Sequence, residues 1–168
     1  IVGQIDSFVI GYYWTSTEVG QYQVAYLLGS NLLIVLSGIT PIFKPMIAEL
    51  SSDTATVRSR FQLATRWVTM LSVPIAITLI LAPDIYLSLF FTEQYAVASA
   101  ALVVLVIGYM LNASSGPEGM VLEGLGYTRL TLFNSVILVV INGMLDIILV
   151  PPLGILGAGI GTASALAI

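Results

Sequence analysis

Charged positions divide the chain into long apolar stretches. No charge falls between Val19 and Phe43, Trp67 and Pro83, Gln94 and Pro117, Leu130 and Leu145, or Ile147 and Ile168. A helix needs about 20 mostly apolar residues to cross roughly 30 Å of hydrocarbon. The runs lack the alternation of barrel strands, and in lipid the backbone must satisfy its own hydrogen bonds. The pattern predicts an all-α integral membrane protein. Its segments lie at about 1–14, 22–47, 61–82, 96–122, 130–150 and 155–168, one six-helix transmembrane bundle over 1–168. The chain opens on Ile1 and stops inside an apolar run, so it reads as a fragment of a longer protein.

Breakers mark the joints. Thr15-Ser16-Thr17-Glu18 with Gly20 reads as a turn, and Ser51-Ser52-Asp53 as a helix start with Asp53 as cap. Pro83-Asp84 ends a helix, Gly124 and Gly126 punctuate a loop, and Pro151-Pro152-Leu153-Gly154 reads as a rigid bend. Lys44, Arg58, Arg60 and Arg66 flank the loop 48–60, and Arg129 lies by the loop 123–129. The loops around Glu18, Asp84–Glu93 and Pro151–Gly154 carry no basic residue. Alternate crossings put every basic residue on one side, and the positive-inside rule makes loops 48–60 and 123–129 cytoplasmic in a multi-pass cell membrane protein.

Composition agrees with that reading. Hydrophobic residues make up 58% of the 168 and charged residues 8%, against about 25% charged in a soluble domain. An ordinary soluble enzyme is thereby excluded. So is a nucleic-acid partner, because no basic patch exists to neutralise phosphates. The chain has no Cys and no His, which removes disulfides, thiol nucleophiles and the commonest metal ligand. No cofactor or metal is expected.

Polar residues at membrane depth therefore draw attention. Asp6 and Asp146 lie within the first and fifth spans, where an unpaired carboxylate costs a few kcal/mol. Each reads either as a substrate or coupling-ion contact in a hydrated cavity, or as an interhelical hydrogen bond. Asn31, Asn112, Asn134 and Asn142 read as helix-packing contacts or together as a cavity for a hydroxyl-rich ligand. Arg66 shares a helix face with Arg58 and Gln62; it snorkels to headgroups or meets an anionic head group. Pro41 and Pro74 interrupt helices and mark bending points. Gly157 and Gly161, followed by Ala165, form a small-residue stripe for close packing. The run Gly157-Ala158-Gly159-Ile160-Gly161 has the wrong spacing for a dinucleotide fingerprint.

An ordered set of residues resembles one family. Asp6, Gly11 and Glu18-Val19-Gly20-Gln21-Tyr22 with Ala25 look like the opening of the second half of polysaccharide flippases. Pro45 with Glu49-Leu50, Arg66, Pro74, Leu89-Phe90, Tyr95, Gly116-Pro117 and Gly126 follow in order, as do Asn134, Asn142, Asp146, Pro151, Gly154 and Gly157-Ala158. The chain resembles the O-antigen and polysaccharide transporter family of the multidrug/oligosaccharidyl-lipid/polysaccharide exporter superfamily. It departs at Val150, where Ile is common, and at Thr92-Glu93-Gln94.

The resemblance implies about twelve helices in two six-helix lobes around an alternating cavity, with this chain as most of the second lobe. It implies a flippase, catalysing no bond chemistry, whose partners are membrane lipids, a lipid-linked oligosaccharide and the missing first lobe. Asp6, Asn31, Asn112, Asn142 and Arg66 are the expected substrate contacts, and Asp6 and Asp146 the expected coupling residues. The rivals are a cation-coupled multidrug exporter and a membrane-embedded glycan polymerase or ligase.

Overall fold

The computed structural model describes residues 2–50 and 53–167. Ser51 and Ser52 of the expected helix start, and the terminal Ile1 and Ile168, lie outside the described residues. The described chain is helical, with no strand among those residues. In order the α-helices are α1 (Val2–Tyr13), α2 (Ser16–Ser30), α3 (Ile34–Glu49), α4 (Thr54–Leu81), α5 (Pro83–Phe90), α6 (Ser99–Ser115), α7 (Glu118–Gly124), α8 (Thr128–Leu153) and α9 (Ile155–Leu166). Short 3-10 turns join α2 to α3 (Asn31–Leu33) and precede α6 (Glu93–Ala98).

Taken as continuous runs, these elements make seven helical stretches rather than six. Four of them are long and apolar enough to cross a bilayer: Ser16–Glu49, Thr54–Leu81, Glu93–Gly124 and Thr128–Leu153. The additional stretch is α5, which occupies the region expected as the loop Asp84–Glu93. Pro83 sits in its first turn, where the missing N–H would be unpaired in any case.

Three other expectations change. The second span is interrupted at Asn31–Leu33, eight or more residues before Pro41, and α3 continues through Pro41 and Pro45. The fourth span stops at Ser115. Gly116 adopts φ 90°, a left-handed conformation open to glycine, and the following Pro117 disfavours helix there. A side chain at Gly116 would also collide with Thr65 and Phe61 of α4. Finally, α8 runs through Pro151 and Pro152, and the bend comes after them at Gly154, with φ 59° and ψ −136°. Each proline removes one N–H from the ladder, and the helix ends at Leu153, just after them.

The helix ends follow from local chemistry. Thr15 and Glu18 form a capping box at the start of α2. Asp53 accepts from the N–H groups of Ala55 and Thr56, each at 3.1 Å, and from the Thr56 hydroxyl at 2.6 Å. The Thr56 hydroxyl foremost, with these N–H groups, holds the Asp53 carboxyl below its ordinary range. That contribution is present at neutral pH and disappears as pH falls through the lowered value.

Packing centres on α6 and α9. Helix α6 touches α2, α4 and α9, while α9 also lies along α8, and α1 bridges α2 and α8. With lipid outside, burial of apolar surface cannot drive this association, and close backbone approach does so instead. A side chain at Gly108 of α6 would strike Ala163 of α9, and Gly157 of α9 lies against the backbone at Leu149 of α8. The expected small-residue stripe thus lies at the α8–α9 contact.

The two ends of the bundle separate the loops. At one end Lys44 pairs with Glu123 at 2.6 Å, joining α3 to α7. At the other, Trp14 Nε1 donates to the Val150 carbonyl at 3.0 Å and Gln21 Nε2 donates to the Gln94 carbonyl at 3.2 Å. The segments beside loops 48–60 and 123–129 therefore meet at one end, and the joints near Thr15, Gln94 and Gly154 lie at the other.

Replacing Gly108 with Val should destabilise the bundle by about 1–3 kcal/mol through overpacking. Gly20→Ala, with nothing within 4 Å of the added methyl, should stabilise it by about 0.5–1 kcal/mol. Thermal unfolding in detergent reads both. At the start of α4, Asp53→Ala should speed amide exchange at Ala55 and Thr56, while Asp53→Asn, which keeps an acceptor, should largely preserve protection.

Candidate functional site

Four helices contribute to one buried polar cluster near the Trp14–Gly154 end. Asp6 shares the inward stripe of α1 with Gly3 and Ile10. Tyr22 precedes Ala25 and Gly29 on the buried face of α2. Asn142, Asp146 and Val150 recur every fourth residue on α8, so helical geometry stacks them on one side. Thr162 follows Gly161 on α9. Asp6, Tyr22, Asn142 and Asp146 are 0% exposed and Thr162 is 1% exposed, so no member of the cluster reaches solvent or lipid. Thr162 lies about 10 Å along α9 from its first residue.

The hydrogen bonds converge on Asp6. Thr162 donates its hydroxyl proton to Asp6 Oδ2 at 2.7 Å, and the Tyr22 hydroxyl donates to the same oxygen. Thr162 Oγ1 in turn accepts from Asn142 Nδ2 at 3.2 Å. Each hydroxyl has one proton and both are committed to Asp6, so the 3.3 Å approach of Tyr22 to Thr162 adds only proximity. The Asp146 carboxyl lies beside that of Asp6. Its Oδ1 fills the space over Gly161 that a side chain would occupy.

Oxygens in this cluster outnumber the donors. Asp6 Oδ1, both carboxyl oxygens of Asp146 and Asn142 Oδ1 are buried with no hydrogen-bond donor among the described residues. No basic side chain enters, because Lys44, Arg58, Arg60, Arg66 and Arg129 are all exposed. A buried, donor-poor carboxylate pair is costly unless positive charge joins it.

A second polar region lies toward the Lys44–Glu123 end. Two adjoining clefts of about 340 Å³ and 290 Å³ share Asn112, Ser115, Glu118, Asn134 and Leu138. Asn112 is half-buried and Asn134 exposed. The smaller cleft ends on Ile141 and Ala165, next to Asn142 and one turn from Thr162. Eight residues of α8 separate Asn134 from Asn142, about 12 Å. This chamber of amides, hydroxyls and one carboxylate offers donors and acceptors suited to a hydroxyl-rich ligand.

The structure thus brings Asp6, Asn142 and Asp146 together and sets Asn112 in the neighbouring chamber. Asp146 is buried in the bundle. Asn31 is exposed in the 3-10 turn, and Arg66 is exposed on α4, as are Arg58 and Gln62 on the same face. Pro41 and Pro74 are exposed within continuous helices. Sequence reasoning missed Tyr22, Thr162 and Glu118. Tyr22 could have been found from its place on the small-residue stripe with Ala25 and Gly29, and Thr162 from its position beside Gly161.

This assembly of long apolar helices around buried polar groups defines a multi-pass membrane protein. Residues 1–100 match the sequence model of a family described as polysaccharide biosynthesis protein, and the chain belongs to that family. It is similar to the probable low-salt glycan biosynthesis flippase Agl15 of Haloferax volcanii, 24% identical over 98% of this chain and 35% of that protein. It is also similar to the teichuronic acid biosynthesis protein TuaB of Bacillus subtilis, 26% identical over 77% of this chain and 27% of that protein. The chain therefore spans about a third of the length of these relatives. No solved structure matches it.

Thr162→Val, which removes a donor to Asp6 and an acceptor for Asn142, should destabilise the bundle by about 1–3 kcal/mol. In Thr162→Ser the hydroxyl remains and most of that loss should be recovered. Chemical or thermal unfolding of the detergent-solubilised protein measures the difference.

Proposed function

We propose that the chain is the second six-crossing lobe of a transporter that moves lipid-linked oligosaccharide or polysaccharide precursors across the cytoplasmic membrane by alternating access. The observation that carries this reading is the pair of adjoining clefts lined by Asn112, Ser115, Glu118 and Asn134, polar side chains grouped on an otherwise apolar bundle. The flippase named among the relatives supports the same direction of inference. In this reading α1, the α2–α3 run, α4, α6, α8 and α9 are the crossings, and α5 and α7 lie at the membrane surfaces. Loops 48–60 and 123–129 face the cytoplasm, where all five basic residues gather.

The two polar regions have separate tasks. The chamber hydrates the sugar while the lipid tail stays in the bilayer, and the Asp6–Asp146 cluster couples the cycle. A proton or cation bound between Asp6 and Asp146 draws α1, α2, α8 and α9 together, and its release loosens them. Coupling of this kind acts only through a difference in affinity between the two states. Pro41 and Pro74 are the bending points. No bond of the substrate is made or broken.

The test uses the full-length protein in proteoliposomes loaded with a fluorescent lipid-linked oligosaccharide, with appearance in the opposite leaflet read by quenching. Asn112→Ala and Asp6→Ala should each slow translocation by about 10-fold or more, the loss of roughly 1.4 kcal/mol of stabilisation. Asp146→Asn should leave folding intact and abolish the response to an imposed proton or sodium gradient. Undiminished transport in both alanine variants would sink the assignment of chamber and cluster. Export of cationic drugs in place of glycan would favour the multidrug reading.

A further inference from the structure

The two clefts of the polar chamber share many neutral polar groups and a single charge. Asn112, Ser115, Thr131, Asn134 and Ser135 supply amides and hydroxyls, which both donate and accept. The Thr131 hydroxyl oxygen is buried in this wall with no hydrogen-bond partner among the described residues. Glu118 is the one charged side chain among the lining residues, and it lines both clefts. It is the exposed first residue of α7, set there by the turn at Gly116 and Pro117.

No cation neutralises that carboxylate. Among the described residues the ion pair is Lys44–Glu123. Arg58 lines the apolar groove on the α4 side of Glu118, beyond ion-pairing distance of it. None of the five basic residues lines the chamber. The smaller cleft stops at Ile141 and Ala165, and behind them Asn142 borders the Asp6 and Asp146 carboxyls. Both ends of the chamber thus carry acidic groups. An ionised carboxylate only accepts hydrogen bonds: it takes the protons of sugar hydroxyls and repels another carboxylate. The apolar side chains beside it, Leu122 and Leu138, lower the local dielectric and extend that repulsion across the cleft.

We propose that Glu118 sets the charge class of the transported sugar: the chamber receives a neutral, hydroxyl-rich sugar and turns away one that carries a carboxylate. Asn112 and Asn134 bond to the hydroxyls of either sugar and hold both without discriminating. Glu118 accepts from a hydroxyl of the neutral sugar and repels the acidic one, so selection comes from a repulsive contact against the wrong ligand. This rests on the transport reading and adds to it the class of sugar that the chamber accepts.

The experiment uses full-length protein in phosphatidylcholine proteoliposomes and two fluorescent, photoreactive probes, polyisoprenyl phosphate glucose and its glucuronic acid counterpart. The probes share one carrier and differ only at sugar C6, so any effect of the carrier's own charge cancels in their ratio. Wild-type protein should translocate the glucosyl probe about 10-fold faster than the glucuronosyl probe. Glu118→Gln, which keeps the hydrogen-bonding shape and removes the charge, should bring the two rates together. Glu118→Lys should reverse the preference, and Glu118→Asp should retain it. Raised salt should narrow the wild-type ratio and leave that of Glu118→Gln unchanged, a response that a purely structural role would not produce. Equal rates in the wild type, a preference for the glucuronosyl probe, or an unchanged ratio in Glu118→Gln would overturn the proposal while leaving transport itself standing. If neither probe is translocated the transport reading fails, and photolabelling then decides on the sugar. Labelling of peptides containing Asn112 or Asn134 that favours the glucosyl probe, and loses that bias in Glu118→Gln, supports the assignment to Glu118. Labelling without bias defeats it.

Discussion

Asp6 is a buried carboxyl group that no basic side chain meets, and the bundle around it is arranged accordingly. Two hydroxyls from two other helices donate to one of its oxygens, and Asn142 supports one of those hydroxyls from a fourth. In a medium that supplies no hydrogen bonds, such contacts decide which helices are neighbours and in what rotation. Gly161 is part of the same constraint, because the second carboxylate, Asp146, occupies the volume its side chain would need. The cluster is thus both the most polar and one of the most tightly packed places in the chain.

The bundle is unevenly packed along its length. Around α6 and α9, small residues bring backbones together, and Ala101, Leu102, Leu105 and Val106 are buried. Toward the Lys44–Glu123 end the contacts give way to three clefts, and a smaller buried set of Phe43, Ile47, Val57 and Ala64 holds α3 to α4. The packing is thus firm around the Asp6 cluster and looser around the clefts, and loosely packed regions are the ones that open most readily.

Much of this was legible in the sequence because charge is so scarce. Gaps between charges located the long helices, and Asp6, Asp146 and Asn142 stood out as the polar residues needing an explanation. Their partners did not stand out. Hydroxyl residues are common in apolar helices, and Thr40, Thr65 and Thr69 simply bond to carbonyls of their own helix. Only tertiary geometry tells Thr162 from these. The 3-10 turn at Asn31–Leu33 follows Gly29-Ser30, a short break signal hidden within a long charge-free run. The bend expected over Pro151–Gly154 falls at its last residue, because α8 carries both prolines and the glycine after them makes the turn. Asn112 was marked as one amide among several, and its grouping with Glu118 depends on the turn at Gly116, which sends α7 toward α3 and α8.

That turn has a mechanical consequence. Gly116 carries the whole change of direction at φ 90°, and Pro117 has no N–H to lose. With a second turn at Gly126, helix α7 is set off at both ends by glycine bends, and the ladders of α6 and α8 stay whole. Its place is fixed by Val121 and Leu125 packed on Phe43, Ile47, Val57 and Ala64 and by the seating of Gly124 against Ile47, with the exposed Lys44–Glu123 pair beside them. Pairs of this kind are weakened by dissolved ions. At high ionic strength the apolar seating of α7 is then left to hold the helix in place.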